Sequence, residues 1–182
     1  MRFSERIITL KDGRSCLLCP TYPEYAADMI EYLKITAEET PFLLRYPDEV
    51  NYTLEREKEI LGNLLENENS VMMLAVVDGK VAGNSSINGM GDKRRIRHRC
   101  SLAIALKKEF WNLGIGTAMI EYLEELARQI GYEQIELEVV EGNDTAKHLY
   151  EKCGFVETGK HIRALKYDHG NYRDEFIMSK VL

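Results

Sequence analysis

The 182-residue sequence predicts a mixed α/β (α+β) fold, with a mostly antiparallel central sheet of about seven strands flanked by about four helices. Three observations predict it. Short apolar runs are joined by turn sequences, Lys11-Asp12-Gly13-Arg14, Asp78-Gly79 and Asp168-His169-Gly170-Asn171, that suit hairpins. Two stretches with helical apolar spacing interrupt the first strands. The second half then alternates helix and strand before a closing hairpin.

The elements follow in order. Ile7 to Leu10 and Ser15 to Cys19 read as strand, turn and strand. Pro20 and Pro23 punctuate, and Glu24 to Thr36 carries Ala27, Ile30, Tyr32, Leu33 and Ile35 at helical spacing. Pro41 and Pro47 bracket an irregular segment. Asn51-Tyr52-Thr53 offers caps for a second helix from Leu54 to Asn67. Ser70 to Val77, Lys80 to Asn88 and Arg97 to Leu106 are strands. A long amphipathic helix from Gly114 to Ile130 is stopped by Gly131. Gln134 to Val140 is a strand, Asn143 caps a short helix to Cys153, and Phe155 to Lys166 and Tyr172 to Val181 form the last pair. Nothing divides the chain, and residues 1–182 are expected to form a single domain.

Composition sets limits. Hydrophobic residues at 45% and charged residues at 30% fit a globular protein, and no apolar run approaches the ~20 residues that span a bilayer. The start, Met-Arg-Phe-Ser-Glu-Arg, shows no signal-peptide core, so a cytoplasmic location and no membrane association are expected. A net charge of −6 argues against nucleic-acid binding. One basic cluster, Lys93 to Arg99, is either a solvated loop or a rim that draws an anionic ligand toward the strand that follows it. Cys16 and Cys19 form a Cys-x-x-Cys, but on a strand residues three apart face opposite sides. No second cysteine pair accompanies them, so free thiols and no metal are expected.

The stretch Glu109 to Met119, Glu-Phe-Trp-Asn-Leu-Gly-Ile-Gly-Thr-Ala-Met, carries chemistry. It joins an apolar strand to an amphipathic helix, where unpaired N–H groups and the positive end of the helix dipole converge. An anion, most often a phosphate, belongs there. Gly114 and Gly116 let a ligand approach the main chain. No lysine follows the second glycine and no Gly-x-Gly-x-x-Gly is completed, which argues against a nucleotide-binding loop. A second stretch runs from Asn143 to Phe155. Asn143 caps it, Ala146, Leu149 and Cys153 pack inward, and Tyr150 sits one position round from Leu149.

Together the two stretches resemble the GNAT superfamily of acyl-CoA-dependent N-acyltransferases. That family's cofactor motif, Arg or Gln, two residues, Gly, one residue, Gly or Ala, is matched as Trp111-x-x-Gly114-x-Gly116, with tryptophan in the Arg/Gln position. The downstream Asn-x-x-Ala-x-x-Leu-Tyr-Glu-Lys-x-Gly-Phe is matched by Asn143 to Phe155. The resemblance covers Ser70 to Leu182, and the first 69 residues only by topology. It implies acetyl-CoA as co-substrate, with its pyrophosphate on the main chain of Asn112, Leu113, Gly114, Ile115, Gly116 and Thr117. It implies the pantetheine arm beside Ala103, Ile104, Ala105 and Leu106, and the acyl group in a splay between that strand and Glu138 to Glu141. Asn143 would touch pantetheine or hold its helix, and Tyr150 would lie at the thioester sulfur as general acid.

Acyl transfer from a thioester needs a neutral amine, a stabilised oxyanion and a protonated leaving thiolate. A lysine-like amine of pKa about 10.4 lies about 3.4 units above neutrality, an apparent penalty of about 4.6 kcal/mol. A base must therefore take its proton. Glu138, on the polar face of its strand with Glu136, is the candidate, and His98 is the alternative. A strand N–H in the Ile104 to Leu106 edge suits the oxyanion. The phenol of Tyr150 stays protonated near neutrality and can donate to a thiolate.

The acceptor is expected between Glu31 to Val50 and the hairpin around Tyr167 to Tyr172. Glu38, Glu39, Asp48 and Glu49 there favour a cationic acceptor, a small amine, polyamine or peptide amine. A non-catalytic acyl-CoA-binding or regulatory module on the same fold is the alternative, and a homodimer is compatible with either.

Overall fold

Each turn sequence closes a hairpin, because Gly13, Gly79 and Gly170 take the positive φ that a tight reversal requires. The computed structural model describes all residues, Met1–Leu182. Its elements are β1 (Arg6–Thr9), β2 (Ser15–Pro20), α1 (Ala26–Glu39), α2 (Leu54–Glu66), β3 (Ser70–Val77), β4 (Lys80–Gly89), β5 (Arg99–Leu106), α3 (Ile115–Ile130), β6 (Gln134–Val140), α4 (Asp144–Lys152), β7 (Val156–Lys166) and β8 (Tyr172–Val181). The eight strands form one sheet ordered β1-β2-β3-β4-β5-β6-β8-β7. Each of the eight strands read in the sequence joins this sheet, one more than the overall estimate of about seven, and the short β1 pairs along β2 as its edge.

Two elements, α1 and β5, depart from the sequence reading by two residues or more at a bound, and the others by at most one. Helix α1 continues past Thr36 to Glu39, since the Thr36 hydroxyl donates to the Tyr32 carbonyl 2.9 Å away and so stays satisfied inside the helix. The helix ends at Glu39 and Thr40 is already extended, as the residue before Pro41 favours. Strand β5 starts at Arg99 rather than Arg97, because the N–H groups of Ile96 and Arg97 both donate back to Lys93 in a tight turn.

The sheet separates two cores. On one face α3 packs Met119, Ile120, Leu123 and Leu126 against Ile87, Cys100 and Ile135. On the other, α1 and α2 place Met29, Tyr32 and Leu61 over Leu74 and Val81. Cys16 belongs to the first core and Cys19 to the second, so the two thiols cannot meet across the strand. Burial pushes their pKa values up to about 11 and about 12.

Every ladder is antiparallel except β5–β6, which is parallel and is joined through the α3 crossover. That ladder spans only Arg99↔Gln134, Cys100↔Ile135 and Ser101↔Glu136. Beyond it the strands part. The His98 carbonyl accepts from Gln134, whereas the Lys107 N–H donates to Ala82 on the other side. Alternation then turns the N–H and C=O groups of Ile104 and Leu106 toward the gap, and those of Ala103 and Ala105 toward β4.

Candidate active site

The turn between β5 and α3 is built for exposed N–H groups. Asn112 has φ 62° and Gly114 has φ 98°, two left-handed residues that curl the main chain around one point. The first helical bond runs from Ala118 to the Gly114 carbonyl, and no side chain caps the helix. The N–H groups of Ile115, Gly116 and Thr117 are left facing outward at the positive end of α3. The turn is anchored from behind by Lys11, whose N–H donates to the Leu113 carbonyl at 3.2 Å.

A cleft of about 830 Å³ starts at this cradle and passes through the gap in the sheet. Every cofactor residue expected from the sequence lines it except Ala103, whose polar groups pair with β4, and Leu113, which packs against the core instead. Trp111 turns its indole N–H onto the Leu106 carbonyl at 2.8 Å. That closes off one acceptor at the end of β5 and leaves the Leu106 N–H, and both polar groups of Ile104, directed at the gap. The two glycines divide their work. A Cβ on Gly114 would meet nothing within 4 Å, so its open side faces the cleft, whereas one on Gly116 would lie 2.9 Å from Leu149. Gly116, which also lines the cleft, therefore leaves room for Leu149 of α4 beside the start of α3.

Helix α4 borders the cleft. The Asn143 carboxamide oxygen accepts from the Ala146 N–H at 3.3 Å, which fixes the first turn. Asn143→Ala is expected to cost about 1 kcal/mol of stability, read as a lower denaturation midpoint. Tyr150 is 6% exposed and lines the cleft, edge-on to Phe155 with ring centroids 6.1 Å apart. Burial, with a smaller contribution from Cys153, holds its hydroxyl above the usual phenol range, and no hydrogen bond offsets the shift.

A sequence model of the Acetyltransferase (GNAT) family matches residues 24–155. The chain belongs to this family. It is 27% identical over 150 residues to an uncharacterised N-acetyltransferase in the pepI 3′ region of Lactobacillus delbrueckii subsp. lactis, covering 75% of this chain and 80% of that one. A GNAT-family acetyltransferase from Streptococcus pneumoniae superposes with a TM-score of 0.84 at 30% identity, covering 92% of this chain and 99% of that one. A putative acetyltransferase from Salmonella typhimurium, solved with its cofactor acetyl-CoA, shares the fold with a TM-score of 0.77 at 14% identity, over 92% and 94% of the two chains.

In this GNAT chain the remaining expectations divide. Glu138 lies two residues beyond the last β5–β6 rung, on the sheet face opposite the α3 core, half exposed, and it does not itself line the cleft. His98 does not reach the cleft. It precedes β5 at the opposite end of a strand roughly 23 Å long, in a separate polar cleft with Arg94 and Arg97. The basic cluster lies there too, because β5 carries the chain away from it toward the cradle. The cationic groups that do line the site are Lys11 and Lys152, which the sequence did not single out.

The expected acceptor walls do meet. The Tyr167 hydroxyl donates to the Pro41 carbonyl at 2.8 Å, the Asp168 N–H donates to the Tyr46 hydroxyl, and Arg173 lies over the Phe42 ring. Their acidity is partly spent on backbone N–H groups. Glu39 accepts from the Lys108 N–H at 2.8 Å, and Glu49 accepts from the Tyr46 N–H at 2.8 Å. Two groups missed by the sequence reading stand beside Glu138 instead. His161 Nδ1 of β7 is 3.2 Å from a Glu138 oxygen, and the Glu175 carboxylate of β8 completes the cluster. Thr36, Thr40 and Leu43 line the cleft from the α1 side, so it opens on both faces of the sheet.

Proposed function

We propose that this chain moves an acetyl group from acetyl-CoA to a primary amine by direct attack within a ternary complex. The observation that carries the reading is the continuity of the cleft, from an anion cradle of free N–H groups, along the unpaired edge of β5, to an unpartnered tyrosine hydroxyl. The pyrophosphate would rest on Ile115 to Thr117, with Lys11 and Lys152 adding charge. The pantetheine arm would run along Ile104 and Leu106, whose N–H groups also suit the developing oxyanion. The amine nitrogen enters from the α1 face, gives its proton to Glu138 and attacks the thioester carbon. The C–S bond then breaks, and the thiolate takes a proton from Tyr150. Trp111 in place of Arg or Gln leaves the N–H cradle whole, so the departure from the family motif does not favour a non-catalytic module.

Release of free thiol from acetyl-CoA should be measured with spermidine, a lysine peptide, a peptide with a free N-terminus and an aminoglycoside. At least one is expected to turn over. Acetyl-CoA alone should raise the melting temperature by several degrees at a hundredfold excess over Kd, about 2.7 kcal/mol of linkage. It should also change the fluorescence of Trp111, the only tryptophan in the chain. No thermal shift at millimolar acetyl-CoA overturns the cofactor reading. Binding without thiol release from any amine returns the chain to the non-catalytic module.

A further inference from the structure

We propose that His161 takes over the acceptor's proton from Glu138 and passes it to solvent, an inference that rests on the acetyl-transfer reading above. Three strands bring the groups together. Glu138 of β6, Glu175 of β8 and His161 of β7 bring two carboxylates and an imidazole nitrogen within 4.8 Å of one another, on the face from which the amine would enter. The placement depends on an irregularity in β7. Its register shifts between His161 and Leu165, and Arg163 adopts φ 56° with its N–H on the Asp174 carboxylate at 2.7 Å. Up to that bulge His161 stays opposite Glu175.

No lysine or arginine neutralises the cluster. Lys160 is held by Asp174 at 2.7 Å and Glu141 at 3.5 Å, and the Arg163 guanidinium lies over Tyr172. Glu136, next along the same face of β6, is bound by Arg99. His161 therefore faces two carboxylates and no competing cation. Burial first, and Glu138 second, raise the Glu175 pKa, which fits two carboxyl groups that compete for one proton.

The chemistry explains why a lone glutamate is a poor base here. An ordinary carboxylate is about six pH units less basic than a lysine-like amine, and an ordinary imidazole only about four. Passing the proton from carboxyl to imidazole recovers about two units, roughly a hundredfold in equilibrium. An ammonium N–H breaks and an O–H forms on Glu138. That O–H breaks as an N–H forms on Nδ1 of neutral His161, and the imidazolium then loses a proton to water.

His161→Gln should lower kcat about tenfold to fiftyfold near neutral pH with little change in either KM. The acid limb of the kcat profile should move, and added imidazole should restore part of the rate in His161→Ala. A merely structural role moves neither the limb nor the rescue. The measurement uses acetyl-CoA with spermidine and the lysine peptide, from pH 5.5 to 9. An active wild type whose His161→Gln variant keeps the same limb and kcat overturns the relay alone. A wild type inactive with every amine overturns the acetyl-transfer reading and the relay with it.

Discussion

Tyr150→Phe is expected to lower kcat about a hundredfold while acetyl-CoA affinity stays within twofold, at the lower end of what general-acid removal costs. The ring packs edge-on against Phe155 in the core beneath α4, and phenylalanine keeps that contact, so the fold should persist. Only the hydroxyl is lost. Burial holds the phenol above its usual range, so it stays protonated throughout the working pH and donates rather than accepts. The same desolvation makes a thiolate in the cleft more basic than the ~8.5 of a free thiol, which keeps the proton transfer favourable. Ionisation of Tyr150 cannot set an alkaline limb at ordinary pH. Steady-state thiol release checks the rate, and thermal shift with acetyl-CoA checks the binding. Unchanged turnover would remove Tyr150 from the reaction.

Gly114→Val should weaken acetyl-CoA binding ten- to a hundredfold and lower stability by about 2 kcal/mol. The second effect follows from φ 98°, which an L-residue reaches at about 1–2 kcal/mol and a β-branched one at more. The first follows from direction. A Cβ at Gly114 projects into open space on the cleft side, beside N–H groups that nothing else in the protein uses. Isothermal titration separates the two, since a protein that still melts cooperatively but no longer binds reports the cradle. Affinity equal to the parent protein would put the phosphates elsewhere. Gly116→Leu differs in kind: it should disturb α3–α4 packing through Leu149.

Features set by neighbouring residues were legible in the sequence. The bounds of β3, β6 and β8 come out as read, because turn residues flank alternating or continuous apolar runs. The cradle was legible for the same reason, since left-handed turns and free N–H groups at a helix start are local properties. The placement of Cys16 and Cys19 on opposite faces of the sheet followed from strand alternation alone. Long-range partners were hidden. Nothing near Glu39 shows that its carboxylate will hold an N–H at Lys108. His161 was missed because the bulge after it breaks the two-residue period by which β7 would be read.

The ladder between β5 and β6 stops after three rungs and leaves the rest of both facing edges without each other. Closing the gap by further rungs would add backbone hydrogen bonds, each about 0.5–1.5 kcal/mol net, and would leave no entrance. The empty protein is therefore less sturdy than its own topology permits, by design of the opening. On the acetyl-CoA reading the occupant completes the sheet as a detachable ninth strand. Resistance to proteolysis should then rise and fall with the availability of coenzyme A, making the protein's lifetime a record of its metabolic surroundings.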